Sequence, residues 1–210
     1  MSRFVYVQAR LQARYSGHLD DAAWNRLESS TSFAIFLKKI RETALAPWVS
    51  AIDENSDIHS LEDNLKAHLF AFIQESSQWV PKGWKSAVLN CQTLFDLHKK
   101  PAPNREETLA LWLEKWRSMW PDQKGDGQLE ELTALVQNHY QHFASLNQSQ
   151  HGDVARQELK IALQLRFRRF AATPAALFVY ILLQALDYER IRGGLCRRRL
   201  FFSESRGEKE

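Results

Sequence analysis

The side chains most able to do chemistry in this chain are two histidines and a set of arginines. His139 and His142, in "HYQH", stand three residues apart, so a helix places both on one face. A zinc site needs three or four ligands, and nearby Glu130, Glu131 and His151 follow no ligand spacing. Two surface histidines on an amphipathic helix is the plainer reading, and no metal or cofactor is expected. The arginines are denser. "RFRRF" carries Arg166, Arg168 and Arg169, and "CRRR" carries Arg197, Arg198 and Arg199. Arginine interleaved with aromatics suits a phosphate backbone. Cations near a helix C-terminus, meeting the negative end of the dipole or an acidic partner, explain the same residues without a ligand.

The charge is lopsided in the same sense. Residues 156–210 hold twelve Lys/Arg against six Asp/Glu, and the other 155 hold sixteen against nineteen. The net charge of +3 is therefore +6 near the C-terminus and −3 elsewhere. No Gly-rich phosphate loop, HExxH, CxxC or G-x-S-x-G elbow occurs, so catalysis is not expected. The carboxylate pairs Asp20-Asp21, Glu106-Glu107 and Glu130-Glu131 sit at expected helix starts, where the dipole favours them. Cys91 falls on an apolar helical stripe and reads as a small core residue; Cys196 is far from it in sequence, so free thiols in a reducing compartment are expected.

These side chains must be carried by helices. Eight glycines and six prolines in 210 residues are too few for a fold rich in tight turns. Apolar residues recur at helical spacing in "SFAIFLKKI", "IHSLEDNLKAHLFAFI", "REETLALWLEKWRSMW" and "DVARQELKIALQLRFRRF". Asp20 or Asp21 is placed to cap the helix at "AAWNRLESS", Pro47 to end the next, Asn104 to cap another and Pro174 to open "AALFVYILLQALDYERIR". Gly193-Gly194 is expected to end or kink that last helix. Trp24, Trp112 and Trp116 lie on apolar stripes, which favours core packing over base stacking.

The expected fold is all-α, a multi-helix bundle of about eight or nine helices, in one body or two helical subdomains. The linker "PDQKGDGQ" (Pro121–Gln128) divides residues 1–120 from a C-terminal helical part, 129–202, with a solvated tail at 203–210. The run Ala175–Leu186 is shorter than the roughly 20 residues that cross a bilayer, and "MSRFVYVQARLQARYSG" lacks a continuous apolar stretch. No transmembrane segment or secretory signal is expected. The location expected is cytoplasmic, at most peripheral to a membrane through a complex.

Three stretches resemble one family. "YVQARLQAR" offers Tyr6, Ala9 and Arg10, followed by "WNRLESSTSFAIFLKKIRETAL"; "TLFDLHKK" offers Phe95, Asp96 and Leu97; and Tyr180, Asp187 and Arg192 stand in order along the apolar helix. This pattern is similar to the central-stalk socket subunit of V-type and archaeal-type ATPases. The chain departs from it in carrying aspartate at 187 where the family shows glutamate, in being short for three repeated bundles, and in "CRRRLFF", which has no counterpart there.

The resemblance implies a non-catalytic helical socket that couples the soluble part of a rotary ATPase to its membrane rotor ring, with other ATPase subunits as partners. It implies structural roles for Tyr6, Arg10, Tyr180, Asp187 and Arg192, with Tyr180 in the core and Asp187 and Arg192 tying helices together. The alternative from the residues alone is a helical nucleic-acid-binding protein. In either case Arg166, Arg168, Arg169, Arg197, Arg198 and Arg199 are the expected partner contacts.

Overall fold

The computed structural model describes residues 3–95, 105–121, 127–145 and 152–201. The fold is all-α. Among the described residues the α-helices are α1 (Arg3–Tyr15), α2 (Asp21–Glu28), α3 (Phe33–Arg41), α4 (Ile58–Trp79), α5 (Lys85–Leu94), α6 (Arg105–Ser118), α7 (Gly127–Ser145), α8 (Gly152–Arg169) and α9 (Pro174–Phe201). Two 3-10 turns, Ala46–Val49 and Lys82–Trp84, lie before α4 and before α5.

Helix starts follow local chemistry. The Asp20 carboxylate accepts the Ala23 N–H at 2.7 Å and caps α2. Asp57 does the same for Ser60 at 2.7 Å at the head of α4. The polar segment before α4 therefore ends in a cap. Pro47 does not end α3, which stops at Arg41; the proline sits in the first turn of a 3-10 helix, where its missing N–H costs nothing. Asn104, Asp96, Leu97, His151, the centre of the Pro121–Gln128 linker and the 203–210 tail lie outside the described residues.

The chain forms two compact units, one made of 1–11 with 72–183 and the other of 12–71 with 184–210. Neither coincides with the expected division at the linker, because each is assembled from segments distant in sequence. Long-range pairing of that kind leaves no mark on local composition. The unit boundaries fall within α1, α4 and α9.

The first unit is built around aromatic rings. Trp116 meets Trp120 edge-on at 5.1 Å and Phe178 edge-on at 4.8 Å, and its Nε1 donates to the Ala87 carbonyl at 3.1 Å. Tyr180, 3% exposed, is flanked by Phe72 at 5.5 Å and Phe167 at 5.7 Å. A buried aromatic of this kind contributes both apolar area and about 0.5–1.5 kcal/mol per edge contact. Trp112 keeps its Nε1 on Thr93 Oγ1 at 2.8 Å. Thus Trp112 and Trp116 serve packing.

In the second unit Trp24, Phe36, Leu37, Ile40, Ile52, Leu61 and Leu65 are fully buried, together with Ile191 and Leu195 of α9. Gly193-Gly194 does not end the helix: α9 continues to Phe201. Two helix-interior glycines each cost roughly 1 kcal/mol of propensity, which tertiary packing here overrides.

Candidate functional site: the arginine-bearing end of α9

Carrying helical phase through Gly193-Gly194 puts Asp187, Ile191, Gly194 and Arg198 on one row, and the three side chains of that row are buried. Arg198 is only 2% exposed. Its Nε donates to the Ser30 carbonyl, its Nη2 to the Glu28 carbonyl and its Nη1 to the Gly194 carbonyl, each at 2.8 Å. Glu28 and Ser30 are the residues where α2 ends, so the guanidinium caps carbonyls that the helix itself leaves unpaired. Its carbon lies 3.9 Å from the Phe36 ring centroid. Burial, with Arg197 as a like-charged neighbour, holds Arg198 below its ordinary value.

Gly194 makes that stack possible. A Cβ there would stand 2.7 and 2.8 Å from Phe36 ring carbons, whereas one at Gly193 would meet nothing within 4 Å. The first glycine is replaceable on these grounds; the second is a close-approach position.

The other arginines of this end are also engaged. Arg190 forms a two-pronged contact with Glu28 (2.6 and 3.0 Å) and lies 4.5 Å over Trp24. Trp24 and Glu28 are one turn apart on α2, so one guanidinium meets both. Arg192 reaches Glu62 of α4 at 2.5 Å and Glu189 at 3.6 Å. Arg199 donates to the Glu54 and Asn55 carbonyls at 2.9 and 3.3 Å, holding the loop that precedes α4.

The expectations for these residues are thereby divided. Arg198 is buried, its guanidinium directed at carbonyls of its own chain. Arg199 is spent mainly on the 54–55 backbone. Arg197 is exposed. Asp187 turns to the break between α1 and α2: its Oδ2 lies 3.0 Å from His18 Nδ1, with both side chains at most 7% exposed. The pair is at ion-pair distance without hydrogen-bond alignment, and Tyr15 stacks on the imidazole at 5.5 Å. His18 sits in a break with no periodicity, so nothing in its sequence context marks it. Arg198 is legible in principle, because an i+4, i+7 and i+11 relation to Gly194, Ile191 and Asp187 emerges once the helix is carried through the glycines.

The second arginine cluster, on α8, is arranged differently. Arg166 reaches Glu131 of α7 at 2.9 Å and Arg169 bonds the same carboxylate, while Arg168 is exposed. The Arg169 hydrogen bond, helped by the Arg166 charge, holds Glu131 below the usual carboxylate range. On α1, Arg10 lies 5.1 Å over Tyr6 and 5.2 Å over Trp79 and pairs with Glu75 at 3.7 Å; Tyr6 is half exposed.

Among the described residues no group of three His, Cys, Asp or Glu side chains is gathered to hold a metal. Burial lowers the pKa of His139, with His142 a like-charged neighbour. Cys91 is buried, its thiol pushed up to about 12, and both cysteines are free thiols. A small cleft of about 30 Å³ lies against Cys91, Trp112, Trp116, Val136, Phe178 and Ile181. Its polar atoms are engaged within the protein: Cys91 Sγ points to the Ala87 carbonyl at 3.6 Å, and Thr133 Oγ1 donates to the Glu130 carbonyl at 2.8 Å and accepts from Arg117 at 2.9 Å. The described lining is otherwise apolar and offers little to orient a reacting group. Among the described residues no helix is long and apolar enough to cross a membrane.

No family model, curated protein or solved structure matches this chain.

Proposed function

We propose that this chain is a non-catalytic helical subunit that works by holding protein partners in fixed geometry, in the manner of the rotary-ATPase central-stalk subunit its sequence resembles. The observation that supports this reading is the clamping of α9. Four of its arginines, 190, 192, 198 and 199, tie one helix to α2, α4 and the loop before α4. A two-pronged pair, charge-assisted bonds to backbone carbonyls and cation–π stacking make that end stiff. Stiffness of this kind serves an element that transmits force, and it uses the same side chains that a phosphate-binding surface would need free.

The nucleic-acid alternative keeps only Arg168 and Arg197 as exposed, uncommitted members of the expected set, which is why the protein-partner reading is preferred. The test is purification of the tagged full-length chain from detergent-solubilised native membranes, with partners identified by mass spectrometry. Rotor-ring and stalk subunits recovered in fixed stoichiometry are expected. Recovery of the chain without any of them, or bound chiefly to RNA, overturns the proposal.

A further inference from the structure

A different surface of the protein is left apolar. On α8, Val154, Ile161 and Leu165 are 56%, 50% and 63% exposed. With Glu158 and Arg168, also exposed, they fall at positions 154, 158, 161, 165 and 168. The intervals are four, three, four and three, the alternation of a coiled-coil seam, and they form one narrow stripe along the helix. The opposite face, with Ala155, Leu163, Phe167 and Phe170, is buried in the unit. An amphipathic helix therefore shows a second, outward seam.

We propose that a second copy of this chain covers that stripe, the two α8 helices packing antiparallel about a two-fold axis level with Leu163. The charges select this occupant and this direction. In the antiparallel register Ile161 faces the partner's Leu165, and Glu158 faces the partner's Arg168. The two-fold repeats both pairs, so four of the five stripe positions find a complementary group. A parallel pair in register would set Glu158 against Glu158 and Arg168 against Arg168, like charges at both ends of the apolar patch. Self-complementarity about a two-fold is the mark of an isologous interface. A contact confined to one helix per subunit belongs to the small, transient size class, so the association is weak and reversible. The inference rests on the α8 face alone and stands or falls separately from the stalk reading.

The test is sedimentation velocity of the full chain, with reductant, from about 1 to 100 μM, the span over which a contact of this size associates. A monomer–dimer equilibrium is expected. E158R alone and R168E alone should each weaken it by about tenfold or more, since each places two like-charged pairs across the seam. The double variant E158R/R168E should restore it, and an equimolar mixture of the two single variants should form a mixed dimer tighter than either self-dimer. Both positions are exposed, so unchanged circular dichroism and melting temperature should confirm that folding is not at issue. A chain that stays monomeric across the range overturns the proposal. So does a dimer that neither reversal weakens, or one the double variant fails to restore.

Discussion

"RFRRF" at the end of α8 and "CRRR" on α9 each hold three arginines, and the structure treats them oppositely. On α8 half-buried Arg166 and exposed Arg169 share one carboxylate, Glu131, and Arg168 faces solvent. On α9 Arg198 is buried beneath Phe36 and caps the end of α2, with Arg197 beside it exposed. The difference comes from helical phase and from one glycine. Arg198 shares the row of Ile191 and Gly194, and the missing Cβ at 194 lets the Phe36 ring close over it. On α8 the inward row is occupied by Leu163, Phe167 and Phe170, which leaves the arginines outside. Charge content therefore says little about availability; the position of each charge around its helix decides it.

The comparison breaks most visibly at Arg198. R198A should cost about 3 kcal/mol, because it strands the Glu28 and Ser30 carbonyls and uncovers Phe36. For a chain of this size that is a fall of roughly 6–12 °C in melting temperature, measurable by scanning calorimetry. R198M, which keeps the apolar stem but not the donors, should recover only part of it.

The paired glycines provide the next test. G194A should lower stability by about 1–3 kcal/mol through overpacking against Phe36. G193A meets open space and should raise it by roughly 0.5–1 kcal/mol, as alanine replaces glycine inside a helix. Equal effects at the two positions, measured by the same calorimetry, would remove the close-approach explanation of Gly194.

On α8 the effects should be small. E131Q should cost no more than about 1 kcal/mol, and the cost should shrink as salt rises. Acid should erase it too. Because the Glu131 carboxyl is held below its ordinary value near 4.5, its contribution is present above that value and is lost as pH falls through the lowered one. Melting curves of E131Q and the parent should converge in acid. The penalty of R198A should persist across that change, since its acceptors are backbone carbonyls that do not titrate.

Smallest is Ala172. It sits just beyond α8 with φ of 61°, a left-handed conformation that a non-glycine residue holds at a cost, and its N–H donates to Gln8 Oε1 at 3.2 Å. A172G should stabilise by about 0.5 kcal/mol, the relief of strain being partly offset by the looser unfolded chain. Chemical denaturation at matched m-values checks it.

Much of the architecture is legible along the chain. Apolar spacing locates the helices, Asp20 marks a cap, and Tyr180, Trp24 and Trp116 go to the core as their stripes imply. Three features are not. Gly-Gly reads as a stop because propensity is local, and only Phe36, distant in sequence, makes the second glycine an asset. The group facing Asp187 is His18, 169 positions earlier, in a break that carries no periodicity. The division into units escapes the linker signal because each unit joins distant segments.

The helices, their apolar faces and several of their caps follow from interactions within one or two turns, so they can be read along the chain. Which charges remain available depends instead on how the chain folds back on itself. A guanidinium is committed or free according to the carbonyls, carboxylates and rings that the fold brings within about 4 Å of it, the range over which such contacts act. On α9 most of those groups come from residues more than a hundred positions away, as Glu28 and Ser30 do for Arg198.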